Sequence, residues 1–260
     1  GWADRPLAAR TWRGHDRAMN MRRIGRIASA AGRADVRSAG LAFAAVLAVL
    51  CGVWATPATS AKGCQLALLL AIDISGSVDD GEYRIQTEGA AAALQDPEIA
   101  ATLIQGQVAL SIMQWSSVGM QKMVQPWRRI DSAETLADIA RAATVQERAF
   151  GKADTAVGDA IAFATSQFDQ VPDCPRRVID ISGDGVQNAG GPLPVARARA
   201  IAAGISINAI AIESIGLTIS EFYRKNVITK GGFVVTAQGH TDYPRAIRLK
   251  ILREIARPMG

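Results

Sequence analysis

Asp73, Ser75 and Ser77 stand at alternate positions in Asp73-Ile74-Ser75-Gly76-Ser77, directly after the apolar run 66–72. One tight turn can converge a carboxylate and two hydroxyls on a point, and a hard cation such as Mg²⁺ takes such oxygens at about 2.0–2.1 Å. Asp73 supplies the charge that hydroxyls lack. The plainer reading is that Ser75 and Ser77 cap the next helix, as serines commonly do after a strand. Two further segments favour the cation. Residues 179–185 end a second apolar strand with an acid before glycine, Asp184-Gly185, and Thr155 opens a helix after a polar loop. Asp73, Ser75, Ser77, Thr155 and Asp184 are all oxygen donors, which points to Mg²⁺ or Mn²⁺, with Ca²⁺ behind them.

These residues need a scaffold that brings three loops to one edge. From residue 66 onward, short apolar runs alternate with amphipathic stretches, the pattern of an α/β protein. It predicts a doubly wound, mostly parallel sheet with one antiparallel edge strand and helices on both faces. Strands are expected at 66–72, 108–115, 178–181, 205–212 and 233–235, with a short antiparallel one at 120–125. Asp79 with Glu82, and Asp131 with Glu134, are spaced as capping boxes for two helices, the first ending before Asp96-Pro97. Further helices are expected at 155–168, from Pro192 to a closing Gly204, from Thr218 with Glu221, and over Tyr243, Ile247, Ile251, Leu252 and Ile255. In such sheets ligands bind beyond the carboxyl ends of the strands, where strand order reverses. Asp73 and Asp184 both fall there.

The net charge of +5 is unevenly placed. Residues 1–61 hold nine Arg and three Asp, so the remainder carries 20 basic against 21 acidic residues. A nucleic-acid surface, which needs clustered Lys and Arg on the folded part, is excluded on that ground. The basic segment reads as a leader. Arg22, Arg23, Arg26, Arg33 and Arg37 precede the apolar run 41–54, and Ala58-Thr59-Ser60-Ala61 offers a cleavage site. Residues 1–61 are therefore expected to be an upstream extension plus signal peptide, with translation starting at Met19 or Met21, and 62–260 the exported domain, periplasmic or secreted. The alternative is an uncleaved anchor, the chain's one expected membrane contact. Cys51 lies in the leader, which leaves Cys64 and Cys174. If the strand order is 3-2-1-4-5-6, the strands ending at Asp73 and Asp184 are parallel neighbours. Cys64 lies nine residues before Asp73 and Cys174 ten before Asp184, so the two enter at one level. A disulfide is expected, against two free thiols if the chain stayed in a reducing compartment.

The constellation resembles the metal-ion-dependent adhesion site of von Willebrand factor A domains. Asp73, Ser75 and Ser77 match its first loop, Thr155 its second and Asp184 its third, and the order of elements agrees from 66 to about 255. The Cys-led first strand, Gln114-Trp115 and Gly183-Asp184-Gly185 are similar to an exported bacterial branch with a domain of unknown function. The resemblance implies a bound divalent cation, held partly through water, whose shell a carboxylate of a partner protein completes. It implies adhesion or partner recognition rather than turnover. Two departures stand out: Asp79 and Asp80 are not spaced for the adjacent second site of integrin-type relatives, and Gly151-Lys152-Ala153-Asp154 replaces a usual glycine pair. Lys152 and Asp154 are expected to be solvated, His240 to be a cap or solvent-facing, and Trp115, Trp127 and Tyr83 to be core or rim aromatics. Two rival functions remain. A Mg²⁺-dependent hydrolase or phosphotransferase would use Asp73 or Ser75 as nucleophile but lacks a paired base. A small-molecule binder would want an apolar pocket at the same edge.

Overall fold

Every residue of the first strand, β1 (Leu66–Asp73), is buried, because both of its faces are covered. Leu66, Leu68, Leu70 and Ile72 point into one apolar cluster, and Ala67, Leu69 and Ala71 into a second on the other side. That is why the run is apolar throughout and does not alternate. The computed structural model describes residues 63–256; the expected leader, 1–61, and the last four residues lie outside the described residues.

The chain continues as α1 (Asp80–Leu94), α2 (Pro97–Gln105), β2 (Ala109–Trp115), β3 (Gln121–Arg129), α3 (Ala133–Thr144), α4 (Val157–Gln167), β4 (Arg176–Gly183), α5 (Leu193–Ala202), β5 (Ile205–Glu213), α6 (Thr218–Phe222), β6 (Val234–Gln238) and α7 (Tyr243–Ile255). A π-helical turn, Tyr223–Val227, follows α6. The six strands are ordered β3-β2-β1-β4-β5-β6, and β3 alone runs antiparallel. Side chains of α1, α2, α3 and α7 pack into the first cluster. Those of α4, α5 and the π turn pack into the second. Strand order reverses between β1 and β4, so the carboxyl ends of these two strands flank the crevice where ligands bind in such sheets.

Several boundaries differ from the sequence reading, each for a local reason. Helix α2 was not anticipated; Asp96 caps it by accepting from the Glu98 and Ile99 amides, with Pro97 in its first turn. Strand β3 runs four residues past 125. Helix α3 is capped by Ser132, which accepts from Thr135 N at 3.1 Å, while Asp131 accepts from the Thr135 hydroxyl at 2.7 Å. Helix α6 has no Thr218 cap; Glu213, at the end of β5, accepts from Ser220 N at 2.6 Å instead. The Asp79–Glu82 capping box is present.

The register that pairs Leu66 with Arg176 carries Cys64 opposite Cys174. Their Cα atoms are 4.8 Å apart and their sulfurs are joined, at the sheet edge remote from Asp73. Beneath α7 lies a set of ions, of which Asp180, Lys250 and Glu254 are buried. Lys250 pairs with Asp180, and Glu254 with Arg176 at 2.8 Å.

Candidate metal centre

Three loops meet beyond the ends of β1, β2 and β4. The first, 74–79, is held from outside by Arg148, whose guanidinium donates to Ile74 O and Val78 O, each at 2.8 Å. Gly76 N donates to Ala153 O at 2.7 Å and so ties the first loop to the second. The second loop is fixed by Ser116, whose backbone carbonyl accepts from Ala156 N at 2.9 Å and whose hydroxyl donates to Asp154 O at 3.2 Å. Asn188, just after the third loop, accepts from Thr155 N at 2.8 Å. Gln114, buried at the end of β2, accepts from Ala149 N at 2.6 Å and donates to the Tyr83 hydroxyl at 2.7 Å.

On this frame the expected donors converge. Asp73 is fully buried and its Oδ1 accepts from Ser75 N at 2.7 Å. The hydroxyls of Ser75 and Ser77 are 3.2 Å apart, and Ser77 donates to Asp184 Oδ1 at 2.5 Å. Thr155 Oγ1 faces the backbone of Gly185: a Cβ there would lie 3.5 Å from it. Gly183 is needed where it stands, since a Cβ would collide with the Tyr223 hydroxyl and lie 2.9 Å from Asp73 Oδ2.

The electrostatics are unfavourable as the protein side chains leave them. Burial, and then the charge of Asp184, push the Asp73 carboxyl up to about 7. Asp73 Oδ2 is buried and accepts no hydrogen bond, and the Tyr223 hydroxyl is likewise buried without a partner. Two acids, orphaned oxygen and neighbouring hydroxyls form a donor set that fits a hard divalent cation. Among the described residues no three His, Cys, Asp or Glu side chains cluster to hold a metal. Here two carboxylates would act with neutral hydroxyls.

Two residues belong to this site that the sequence did not reveal, and a third lies beside it. Arg148 braces the first loop, and the Tyr223 hydroxyl, from the π turn, lies with Asp73 Oδ2 against Gly183. His240 departs most from expectation. Its side chain is only 9% exposed and is neither a cap nor solvent-facing; Nδ1 lies 3.0 Å from Glu82 Oε1 and Nε2 3.8 Å from Asp184 Oδ2. Its position two residues after the β6 end, on the same sheet edge, was the available signal. Lys152 and Asp154 are exposed, as expected, and Trp115 and Tyr83 are core.

The profile of the family described as "Protein of unknown function (DUF1194)" matches residues 63–259. No curated protein matches the sequence. Among solved structures, proximal thread matrix protein 1 from the mussel byssus, with a zinc-occupied MIDAS motif, is similar with a TM-score of 0.58 and 18% identity over 73% of this chain and 48% of that one. The chain thus spans about half the length of the byssus protein. A von Willebrand factor type A protein from Catenulispora acidiphila gives 0.54 and 17% over 76% of this chain and 44% of that one. BatB from Bacteroides thetaiotaomicron gives 0.52 and 18% over 74% of this chain and all of that one. At these identities the likeness is one of fold.

Proposed function

Since the chain belongs to the DUF1194 family and has a von Willebrand factor A-like fold, we propose that it is a metal-dependent protein-binding module of the bacterial envelope. Asp73, Ser75, Ser77, Thr155 and Asp184 would hold Mg²⁺ or Mn²⁺, and the cation would supply a positive centre for an acidic side chain of the partner. The observation that carries this is Asp73 Oδ2, a buried carboxylate oxygen with no hydrogen bond, beside a second acid. The zinc-occupied MIDAS motif of the byssus protein supports a divalent ion at such an edge. Val118, Val186, Ile215 and Leu217 are exposed in loops at this same edge, and large exposed apolar side chains around a polar centre suit a protein partner. Ser75 Oγ contacts Ser77 Oγ, not a base, so we read a binding module rather than a hydrolase.

Calorimetry tests the site. Asp73→Ala and Asp184→Ala should each remove most Mg²⁺ or Mn²⁺ binding, while Thr155→Ala weakens it less because water replaces a neutral ligand. Unchanged affinity in both acid variants sinks the assignment. Export through the 1–61 leader, with Cys64 and Cys174 oxidised, belongs to the same proposal. Denatured, unreduced protein from the envelope fraction should begin near Lys62 and titrate no thiol. Two free thiols per chain would refute the bridge.

A further inference from the structure

Asp184 faces two ways. Its Oδ1 accepts from Ser77 on the hydroxyl side, at 2.5 Å. Its Oδ2 faces His240 Nε2 across 3.8 Å, too far for a hydrogen bond. Nε2 is buried and has no hydrogen-bond partner, in a side chain 9% exposed. The other ring nitrogen is held: Nδ1 lies 3.0 Å from Glu82 Oε1, and Glu82 is itself fixed because its Oε2 accepts from Asp79 N at 2.8 Å. A carboxylate on one imidazole nitrogen sets the tautomer and turns the lone pair of the other toward whatever it faces, which is the arrangement that supports a metal-bound histidine. Two donors about 2.0–2.2 Å from one zinc-class ion stand about 3.4 Å apart at a tetrahedral angle and about 4.2 Å apart at most. The observed separation falls between. Ser77, Glu82, Asp184, Glu213 and His240 line a cleft of about 340 Å³, which leaves room for water or a partner group to complete a shell.

The geometry points to a second cation position, between Asp184 Oδ2 and His240 Nε2, that takes a borderline ion of the zinc class. Asp184 would bridge it to the oxygen-only position, and Glu82 is its positioning residue. The two positions differ in chemistry: imidazole suits zinc-class ions, whereas Mg²⁺ prefers carboxylate, carbonyl and water. The inference depends on the proposed cation site only through the shared Asp184.

Titrating the tag-free full chain with Zn²⁺ under saturating Mg²⁺ tests it, with Mg²⁺ affinity and the visible spectrum of bound Co²⁺ measured alongside. The wild type should bind a Zn²⁺ that Mg²⁺ does not displace. His240→Ala should weaken it about 10- to 100-fold and Glu82→Gln about tenfold, both changing the Co²⁺ spectrum while Mg²⁺ binding stays. Equal Zn²⁺ affinity in the wild type and His240→Ala, or complete displacement by Mg²⁺, overturns the inference. If His240→Ala proves unfolded by its thermal melt, Glu82→Gln decides, since it keeps the side chain's shape; unchanged Zn²⁺ affinity there overturns the inference equally. Failure of the first site reads differently: Asp73→Ala would then leave Mg²⁺ affinity unchanged, whatever His240 does to Zn²⁺.

Discussion

Asp73 and Asp180 lie on neighbouring strands of one sheet, both buried, in opposite electrical settings. Asp180 stands beside Leu70 of β1 and pairs with Lys250 from α7. One turn on, Glu254 pairs with Arg176 and accepts from the Asn208 side chain. Every acid there meets a cation that the chain itself supplies. At the carboxyl edge the pattern reverses. Asp73 Oδ1 accepts from its own turn, Oδ2 from nothing, and the charge acting on it is that of a second acid, which raises its pKa. Burying a carboxylate without a partner costs several kcal/mol. The first region is closed by the fold. The second is left open in a way that an external cation would close, and this contrast separates structural from functional burial of charge.

The largest expected effect breaks the closed region. Lys250→Ala removes the cation from a buried pair and should cost about 3–5 kcal/mol in urea unfolding. Replacing both partners, Asp180→Leu with Lys250→Met, should recover most of that loss, because apolar side chains of similar size often match a buried pair. A double variant no more stable than the single one would show that pairing is not what the region is built on.

Next in size, at most about 4 kcal/mol, is the pH response of the open region. In chelator, the folded pKa of Asp73 is about 7 and the unfolded one about 3.9. Between those values the folded chain binds more protons than the unfolded one, so the stability is fully present below about pH 4 and is lost as pH rises toward 7. The sign is opposite to that of a salt-bridged acid. Urea midpoints from pH 4 to 8 should fall with rising pH, Asp73→Asn should flatten the fall, and saturating Mg²⁺ should offset it by binding the ionised form. A slope that persists unchanged in Asp73→Asn would remove Asp73 as its source.

Much of this was legible in the residues. The strands, the antiparallel edge strand and the three loops follow from apolar runs, capping pairs and short connections, which are local or nearly so, whereas the strand order was assumed from the doubly wound pattern. The loop positions of Asp73, Ser75, Ser77, Thr155 and Asp184 were readable because each follows or precedes a recognisable strand or helix end. Arg148, Tyr223 and His240 were not, since their roles depend on residues 70 or more positions away in the chain: Arg148 on the carbonyls of Ile74 and Val78, Tyr223 on the charge of Asp73 and His240 on Glu82. The Lys250–Asp180 pair was missed for the same reason. An acid in the middle of an apolar strand gives no sign of which helix will answer it.

The smallest effect is the sharpest in sign. Tyr223 and Tyr243 are both buried, one on each face of the sheet, and each can lose a single oxygen as Phe. The Tyr243 hydroxyl, on the side of Asp180, is not among the buried unsatisfied atoms, and the Ser182 side chain beside it favours its ionised form. The Tyr223 hydroxyl, on the side of Asp73, has no partner, and burial together with the charges of Asp73 and Asp184 keeps it protonated, far above its ordinary pKa. Deleting a bonded hydroxyl forfeits a hydrogen bond and strands its partner, at about 1 kcal/mol, whereas deleting an unsatisfied one relieves a desolvation penalty of similar size. In chelator, Tyr243→Phe should therefore lower the urea midpoint and Tyr223→Phe should raise it. Because the two substitutions are chemically identical, differences in side-chain volume and in the unfolded chain largely cancel between them. Two changes of the same sign would mean that the polar atoms around Asp73 are satisfied within the protein, and the open region would then need no cation to close it.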